Sequence, residues 1–243
     1  MLRVPARHLR EDELLREMLA DSPSGLWPLT EVSGTVAYDR SGNGRNGTYT
    51  STVNLGRRVG RVGAADLAGG YVTIPDADAF SSSAGAGGLL TVDAWVRFDT
   101  LAAQMQVVSK GSSGQYEFDF RTGDSLSTAL SVQMYTLAGS AIMATSQVAG
   151  QVAADTLYHL AFTYIRASAL LTVYRNGVQM SQDTDAAGGN NTANGTSALQ
   201  IGRRADAAGT TLDGQIGYVG IYPTALSAAR IAAHYAAGIR GTR

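Results

Sequence analysis

The alternation of apolar and polar residues in Leu89–Phe98, which reads LLTVDAWVRF, decides the fold class. The even-numbered residues from 90 to 98 are all apolar, so they share one face of an extended chain. The opposite face carries Thr91, Asp93, Trp95 and Arg97. This period of two predicts a strand with one face in a core, and it recurs in residues 158–164 and 171–175.

Turn residues separate many short strands of this kind. Asn176-Gly177 is a strong hairpin signal, because both residues tolerate the positive φ that a type I′ turn needs. Further predicted strands are Gly25–Thr30, Thr35–Tyr38, Leu199–Gly202 and Gly214–Tyr222. Many short strands without intervening helices predict an all-β protein, an antiparallel two-sheet jelly-roll sandwich.

A short helix is predicted at each end of the chain. Apolar residues between Leu14 and Leu19 recur at helical spacing, which predicts a helix over residues 6–20. The second predicted helix, Ser227–Ala237, ends at Gly238.

The N-terminal helix suggests a division of the chain into an N-terminal helical arm, residues 1–24, and a jelly-roll domain, residues 25–243. A helix this short is marginal alone in water, so it should pack on something. Two interpretations remain open. The arm covers an edge or end of the domain, or it docks on a partner.

Composition excludes several classes of protein. The 243 residues include no cysteine, which removes disulfides, thiolate zinc sites and cysteine nucleophiles. The net charge of −1 provides no field that would hold nucleic acid or an anionic membrane. No stretch approaches the ~20 apolar residues of a membrane span, and the charged start lacks the apolar centre of a signal peptide. We therefore expect no nucleic-acid binding, no membrane insertion and no signal peptide.

Catalytic patterns are scarce. Glycoside hydrolases built on β-sandwiches use two carboxylates about 5–10 Å apart. Outside the N-terminal helix the one Glu/Asp pair at positions two apart is Glu117 and Asp119, and the one other glutamate there is Glu31. We interpret these as surface carboxylates and predict that the protein is not an enzyme, with a glycoside hydrolase kept as an alternative.

The three histidines are scattered, at His8, His159 and His234. None belongs to a His-x-His pair, so a histidine-rich zinc site is not expected. His159 lies in a predicted strand, opposite the aromatic face. We interpret it as a hydrogen-bonded structural side chain.

An oxygen-rich loop, Asp39–Gly47, reads DRSGNGRNG. Calcium prefers six to eight oxygen ligands, several from the backbone, and such a loop can supply them. The alternative is a turn without an ion, because Asp and Asn side chains bond their own backbone two residues on. Both interpretations remain open.

Five stretches, in this order, resemble the motifs of one known family. They are LWPL with SG and DRSGNGRNG in 26–47, LTVDAWV in 90–96, YHLA in 158–161, VYRNG in 173–177, and DGQIG through YPTALS in 213–227. The family is that of laminin G-like, concanavalin A-like lectin jelly-roll domains. The resemblance implies the same two-sheet fold as the alternation does.

The resemblance departs from the family at one point. The family carries an acid after its closing Gly-x-Ile, and this chain has Gly217 and Tyr218 there. Asp206 and Asp213 are nearby alternatives. The calcium ligands to be tested are therefore Asp39, Asn43 and Asp213.

The start of the domain, LADSPSGLWPL in residues 19–29, is similar to the start of such domains in tailed-bacteriophage minor tail and virion-surface proteins. There the jelly roll follows a short helical lead. This implies a location on the virion after assembly in the host cytoplasm. It also implies other virion proteins as partners, contacted through residues 1–20, and it is compatible with a homo-oligomer.

The resemblance implies a non-catalytic lectin-like module of the virion surface, a minor tail or capsid-decorating protein. Its role would be adhesion to host surface glycans or particle decoration, and a purely structural assembly protein without glycan binding is the alternative. Sugar sites use exposed aromatic faces with nearby amides and carboxylates. The candidates are Tyr49, Tyr116 and Tyr135 with Asn43 and Asn46, and the alternative, which the sequence favours, is that the tyrosines lie in the core.

Overall fold

The computed structural model describes residues 6–82, 87–112, 115–123, 125–135, 141–144, 149–184, 195–204, 206 and 211–240, so residues 1–5 of the arm lie outside it. Its helices are α1 (Ala6–Leu19) and α2 (Ala228–Ile239), with single 3-10 turns at Asp78–Phe80 and Arg166–Ser168. Its strands are β1 (Gly25–Trp27), β2 (Val36–Ala37), β3 (Gly47–Thr50), β4 (Asn54–Val59), β5 (Val62–Asp66), β6 (Tyr71–Ile74), β7 (Leu89–Phe98), β8 (Gln106–Ser112), β9 (Gln115–Thr122), β10 (Leu130–Tyr135), β11 (Ala141–Ala144), β12 (Leu157–Ile165), β13 (Leu170–Arg175), β14 (Val178–Thr184), β15 (Leu199–Ile201) and β16 (Gly214–Tyr222).

The strands form two antiparallel sheets. Sheet A has the order β14-β13-β12-β7-β16-β5-β4, and β1 pairs with β16. Sheet B has the order β11-β10-β9-β8-β15-β6-β3-β2. Strands distant in the chain are therefore neighbours in both sheets, as in a jelly roll. The predicted fold class, an all-β antiparallel sandwich with two short helices, is confirmed.

The core lies between the two sheets and takes the apolar face of each strand. The predicted alternation of β7 holds, since Leu90, Val92 and Phe98 are fully buried in this core. Phe162 of sheet A meets Phe120 of sheet B edge to face, with ring centroids 5.4 Å apart. Each such side chain contributes about 1.5–3 kcal/mol through burial, which is why the alternating pattern determines the fold.

The outer face of sheet A is covered by both helices. Leu14 and Met18 of α1 are buried in a second apolar cluster, together with Trp95 of β7 and Ala237 of α2. The apolar residues of α1 thus recur at helical spacing because this side of the helix packs on the domain.

Two glycines on this outer face lie where a larger side chain would overlap neighbouring atoms. The prediction that α2 ends at Gly238 is wrong, since the helix continues to Ile239. Gly238 instead allows a close contact, because a side chain there would overlap the indole of Trp95. A side chain at Gly217 would overlap the carbonyl oxygen of Gly63 and lie 3.0 Å from that of Pro28. The acid found in related domains has no room at this position.

The hairpin between β13 and β14 has the predicted turn. Asn176 has a φ of 53° and Gly177 a φ of 77°, which are the two positive values of a type I′ turn.

Candidate functional site

A row of polar side chains crosses the outer face of sheet B. Strand register places these residues directly opposite one another over six strands. In order they are Thr48, Thr73, Gln200, Ser109, Asp119 and Gln133. A sheet face that met only solvent would leave such side chains exposed, but Ser109 and Asp119 are completely buried. Other groups of the protein therefore cover the middle of the row and exclude water from it.

Asp119 is the charged centre of this row. Its Oδ2 lies 3.2 Å from Nε of Arg121, whose Nη2 donates a hydrogen bond of 3.0 Å to Oε1 of Gln133. Burial raises the pKa of Asp119 to about 6, although the charges of Arg121 and Arg204 oppose the rise. A carboxyl group with a raised pKa in a polar setting is a feature of functional sites.

Two of the predicted tyrosines lie beside Asp119. The rings of Tyr116 and Tyr135 meet edge to face, with centroids 5.4 Å apart. Tyr116 is buried, whereas Tyr135 is half-buried. The guanidinium carbon of Arg204 lies 5.6 Å from the centre of the Tyr116 ring, and Nε of Arg204 donates a hydrogen bond of 2.7 Å to Oδ1 of Asp206. We call Tyr116, Tyr135, Asp119, Gln133 and Arg204 the sheet B site.

The third predicted tyrosine lies elsewhere. Tyr49 is part of the core between the sheets, and its hydroxyl donates a hydrogen bond of 2.6 Å to Oε2 of Glu31. Burial raises the pKa of Tyr49 far above its ordinary value, and the Glu31 carboxylate raises it further. The ring therefore offers no exposed face to a sugar.

The oxygen-rich loop forms a turn that bonds its own backbone. The carboxylate of Asp39 accepts hydrogen bonds from the backbone N–H groups of Leu26 at 3.0 Å, Ser41 at 2.8 Å and Arg45 at 2.9 Å. Asn46 Oδ1 accepts from the backbone N–H of Asp39, and Asn43 Nδ2 donates to the carbonyl of Ser24. The side chains of Asp39, Asn43 and Asn46 therefore form hydrogen bonds with the protein's own backbone.

Asp213 is not part of that loop. It precedes β16 and accepts a hydrogen bond of 2.6 Å from the hydroxyl of Thr100. Leu26, which Asp39 binds, pairs with Gly220 towards the other end of β16. Seven residues of strand separate the two positions by roughly 20 Å, so the structure does not bring Asp39, Asn43 and Asp213 together into one calcium site.

Glu117 and Asp119 point in different directions. The pairing of β8 with β9 shifts between Lys110 and Gly111, and this bulge turns Glu117 towards Lys110 at the core-facing side. Lys110 is fully buried and also lies 2.6 Å from Asp76, while Ser81 donates a hydrogen bond to Glu117. Burial raises the pKa of Glu117, and the charge of Lys110 opposes that rise. Both acids are buried, so the interpretation of Glu117 and Asp119 as surface carboxylates is wrong, and they do not face a common substrate space.

The outer face of sheet A holds a second polar cluster that sequence reasoning did not predict. Asp93 of β7, His159 of β12 and His234 of α2 are all completely buried, and in the described part of the chain they form the one group of three that could hold a metal ion. Asp93 Oδ2 lies 2.7 Å from His234 Nδ1 and 3.4 Å from His159 Nε2. His159 is thus a hydrogen-bonding side chain on the outer face, as its position in the alternation suggested.

The chemistry of His234 favours a proton over a metal ion. Its Nδ1 faces Asp93 and its Nε2 lies 2.9 Å from Oδ2 of Asp21, so both nitrogens meet a carboxylate oxygen and must donate. Burial alone lowers the pKa of His234, but the hydrogen bonds and charges of Asp93 and Asp21 outweigh burial and raise it. A nitrogen that carries a proton cannot also bind a metal.

The fold and the two faces define a jelly-roll sandwich of the concanavalin A-like class. The chain belongs to the concanavalin A-like lectin/glucanases superfamily, since the Laminin_G_3 family model matches residues 66–232, more than half of its length. None of the curated proteins matches the chain.

Solved structures resemble the chain in fold. Domain 4 of AbnA, a GH43 extracellular arabinanase from Geobacillus stearothermophilus, in complex with arabinotriose, is 20% identical and has a TM-score of 0.60, over 88% of this chain and 98% of that one. The binding domain of Paraclostridial Mosquitocidal Protein 1 is 14% identical with a TM-score of 0.66, over 89% of this chain and 52% of that one.

A third similar structure is the binding domain of botulinum neurotoxin DC in complex with rat synaptotagmin II. It is 11% identical with a TM-score of 0.65, over 91% of this chain and 53% of that one. The chain thus spans about half the length of the toxin binding domains. At these identities the likeness concerns the fold, one that carbohydrate-binding and receptor-binding domains share. Among the helices described, none combines the length and apolar character needed to cross a bilayer.

Proposed function

We propose that the protein is a non-catalytic glycan-binding module and that the sheet B site binds the sugar. The observation that carries this proposal is the placement of Tyr116 and Tyr135 beside the polar row that includes Asp119 and Gln133. Sugars are bound through the apolar face of the ring on an aromatic side chain and through hydroxyl groups on amides and carboxylates. Both kinds of partner are adjacent here.

The exposed and buried members of the site have different tasks in this proposal. Tyr135 and Gln133 are half-buried, so they can touch a ligand directly. Asp119 lies behind them and holds Arg121, which in turn orients the amide of Gln133. Gln106, opposite Arg121, adds a fully buried acceptor, Oε1, that has no hydrogen-bond partner among the described residues.

Binding without catalysis is supported by the state of the two acids. Glu117 forms a buried ion pair with Lys110, and Asp119 lies on the other face of the sheet. A glycoside hydrolase needs two carboxylates that flank one bond. Turnover of a glycan that the substitution Glu117→Gln abolishes would contradict this part of the proposal.

We place this module on a virion, as a minor tail or capsid-decorating protein that attaches to host surface glycans. The support is the helical lead α1, which runs directly into the β1 segment as in the phage domains that the sequence resembles. Because the apolar side of α1 packs on the domain, other virion proteins would bind its remaining surface. Detection of the protein in purified particles, lost when residues 1–20 are replaced, would test this placement.

A glycan array with the full chain tests the binding proposal. We expect Tyr135→Ala and Gln133→Ala each to weaken binding, the former by about two- to tenfold, because an aromatic contact contributes about 0.5–1.5 kcal/mol. Tyr38→Ala is the matched control, since Tyr38 is 49% exposed and belongs to the β2–β3 region away from the site. Equal losses in Tyr38→Ala and Tyr135→Ala, or no glycan signal at all, would refute the proposal.

A further inference from the structure

His234 lies between carboxylates from two other segments of the chain. Asp21, which follows α1, approaches its Nε2 at 2.9 Å, and Asp93 of β7 approaches its Nδ1 at 2.7 Å. The His234 side chain is fully buried, so water cannot replace either contact. One doubly protonated ring therefore joins the end of α1, the helix α2 and sheet A.

A second cation supports the same junction. Arg230 lies one turn before His234 on α2, and its Nε is 3.0 Å from both carboxylate oxygens of Asp21. Its Nη1 lies 2.7 Å from Oε1 of Glu17 in α1. The side chain of Arg230 is about one third exposed, so solvent weakens this contact, while His234 is shielded.

Loss of the His234 proton would change the balance at this junction. One of its two hydrogen bonds would lose its donor, and the buried carboxylate of Asp93 would lose its positive partner. An uncompensated charge in the interior is strongly unfavourable. Asp21 brings this change to the C-terminal end of α1, which would then be held at this junction by Arg230 through Asp21 and Glu17.

We propose that His234 is a proton-controlled clasp, which holds α1 against α2 and sheet A when protonated and releases α1 when it loses the proton. Release would uncover the apolar surface formed by Leu14 and Met18 on α1 and by Trp95 and Tyr218 on the sheet. This inference concerns the arm and the outer face of sheet A, so it does not depend on the sheet B site.

The groups that face this ring come from every element packed against it. They are Asp93 (β7), Asp21 (after α1), His159 (β12), Tyr222 (β16), Arg230 (α2) and, through Arg230, Glu17 (α1). Tyr222 is not a competing acid in the neutral range, because burial and the nearby Asp93 carboxylate raise its pKa well above the ordinary value.

The direction of the pH response follows from proton linkage. The pKa of His234 is raised above its ordinary value of 6.5 in the closed state. Its contribution is then fully present below 6.5 and is lost as the pH rises through the raised value. The pKa of Asp93 is lowered from 3.8, because two histidine hydrogen bonds outweigh burial, so its contribution is lost only as the pH falls below that range. The closed state is favoured between these limits.

Hydrogen exchange of the full chain, followed by mass spectrometry from pH 5 to pH 9 and corrected for intrinsic exchange rates, tests the clasp. We expect the opening constant of α1 to rise by up to tenfold per pH unit between the pKa that His234 has with α1 open and its higher pKa with α1 closed, and to be flat on either side of that interval. Peptides of β7 and β12 should keep their protection throughout.

Three variants separate the clasp from a merely structural contact. His234→Gln should open α1 at every pH and abolish the slope. Asp21→Asn, which keeps the pair of His234 with Asp93, should reduce the slope while the sheets stay protected. His8→Gln, at the one histidine of α1, is the control and should keep the profile of the unmodified protein. An unchanged slope in both His234→Gln and Asp21→Asn, or an α1 that opens only when the sheets do, would overturn the proposal.

Discussion

The outer faces of the two sheets each bury an aspartate, but they stabilise it in different ways. On sheet A, Asp93 receives hydrogen bonds from two histidines, one of them on α2, and its pKa is lowered despite burial. On sheet B, Asp119 relies mainly on Arg121 of its own strand, and burial raises its pKa to about 6. Donors that come from a covering element neutralise the cost of burial, whereas the sheet B face leaves part of that cost unmet.

In our proposal, this difference separates a face whose buried charge is met by a covering helix from one whose buried carboxyl group would be met by a ligand. The helices occupy sheet A and satisfy its charges. Sheet B keeps a carboxyl group that is ionised at neutral pH although burial disfavours its charge, next to two tyrosines and an amide. Functional sites commonly retain such a cost, because a bound ligand can offset it.

The largest effect should come from removing the charge on sheet A. We expect Asp93→Asn to lower the free energy of unfolding by about 3–5 kcal/mol, since it leaves the buried His234 cation without its main partner. Urea denaturation at pH 6 measures this. Asp183→Asn, at an exposed position of β14, is the matched control and should change stability by less than about 0.5 kcal/mol. A loss of similar size in both variants would remove the distinction between the faces.

The tight packing of β16 against Gly63 and Pro28 can be tested at Gly217. Gly217→Ala should lower the free energy of unfolding by about 1–3 kcal/mol, because the added methyl group overlaps the carbonyl of Gly63. Gly195→Ala should be tolerated, since the nearest atom to its new methyl group is 4.0 Å away. Thermal melting of both variants gives the comparison, and a Gly217→Ala protein as stable as the original would show that β16 is loosely packed against Gly63 and Pro28.

On sheet B the corresponding change should stabilise the protein. An aspartate whose pKa rises from 3.8 to about 6 on folding contributes most at low pH, and that contribution is lost as the pH rises through this range. Asp119→Asn imitates the protonated acid, so at pH 7 it should gain up to about 3 kcal/mol of stability. The gain should vanish below pH 3.8. Destabilisation at pH 7 would mean that Asp119 is a structural ion pair like Asp93.

Calcium should have the smallest effect. The Asp39 carboxylate already accepts three backbone N–H groups, and Asp213 lies at the other end of β16. We expect the melting temperature to be the same in excess calcium and in a chelator. An ion present at 100 times its dissociation constant adds about 2.7 kcal/mol, so a shift of several degrees would revive the calcium hypothesis for the oxygen-rich loop.

The fold and part of the site could be predicted from the sequence. The alternation in β7 and β12, the Asn176-Gly177 turn and the two terminal helices all depend on neighbours within a few residues. The sequence also singled out Tyr116 and Tyr135, but strict alternation would put Tyr116 on the same face as Phe118. A bulge in the pairing of β8 with β9 moves it to the outer face.

By itself, then, the sequence determined two amphipathic sheets, their turns and the helical arm, because periodicity and turn chemistry act over short distances along the chain. Only the tertiary structure decided what covers each outer face. His234 meets Asp93 across 141 residues and Asp21 across 213, and Gly238 proves to be a contact point for Trp95 instead of a helix end. Such contacts depend on which surfaces the packed sheets bring together, and no local pattern encodes that.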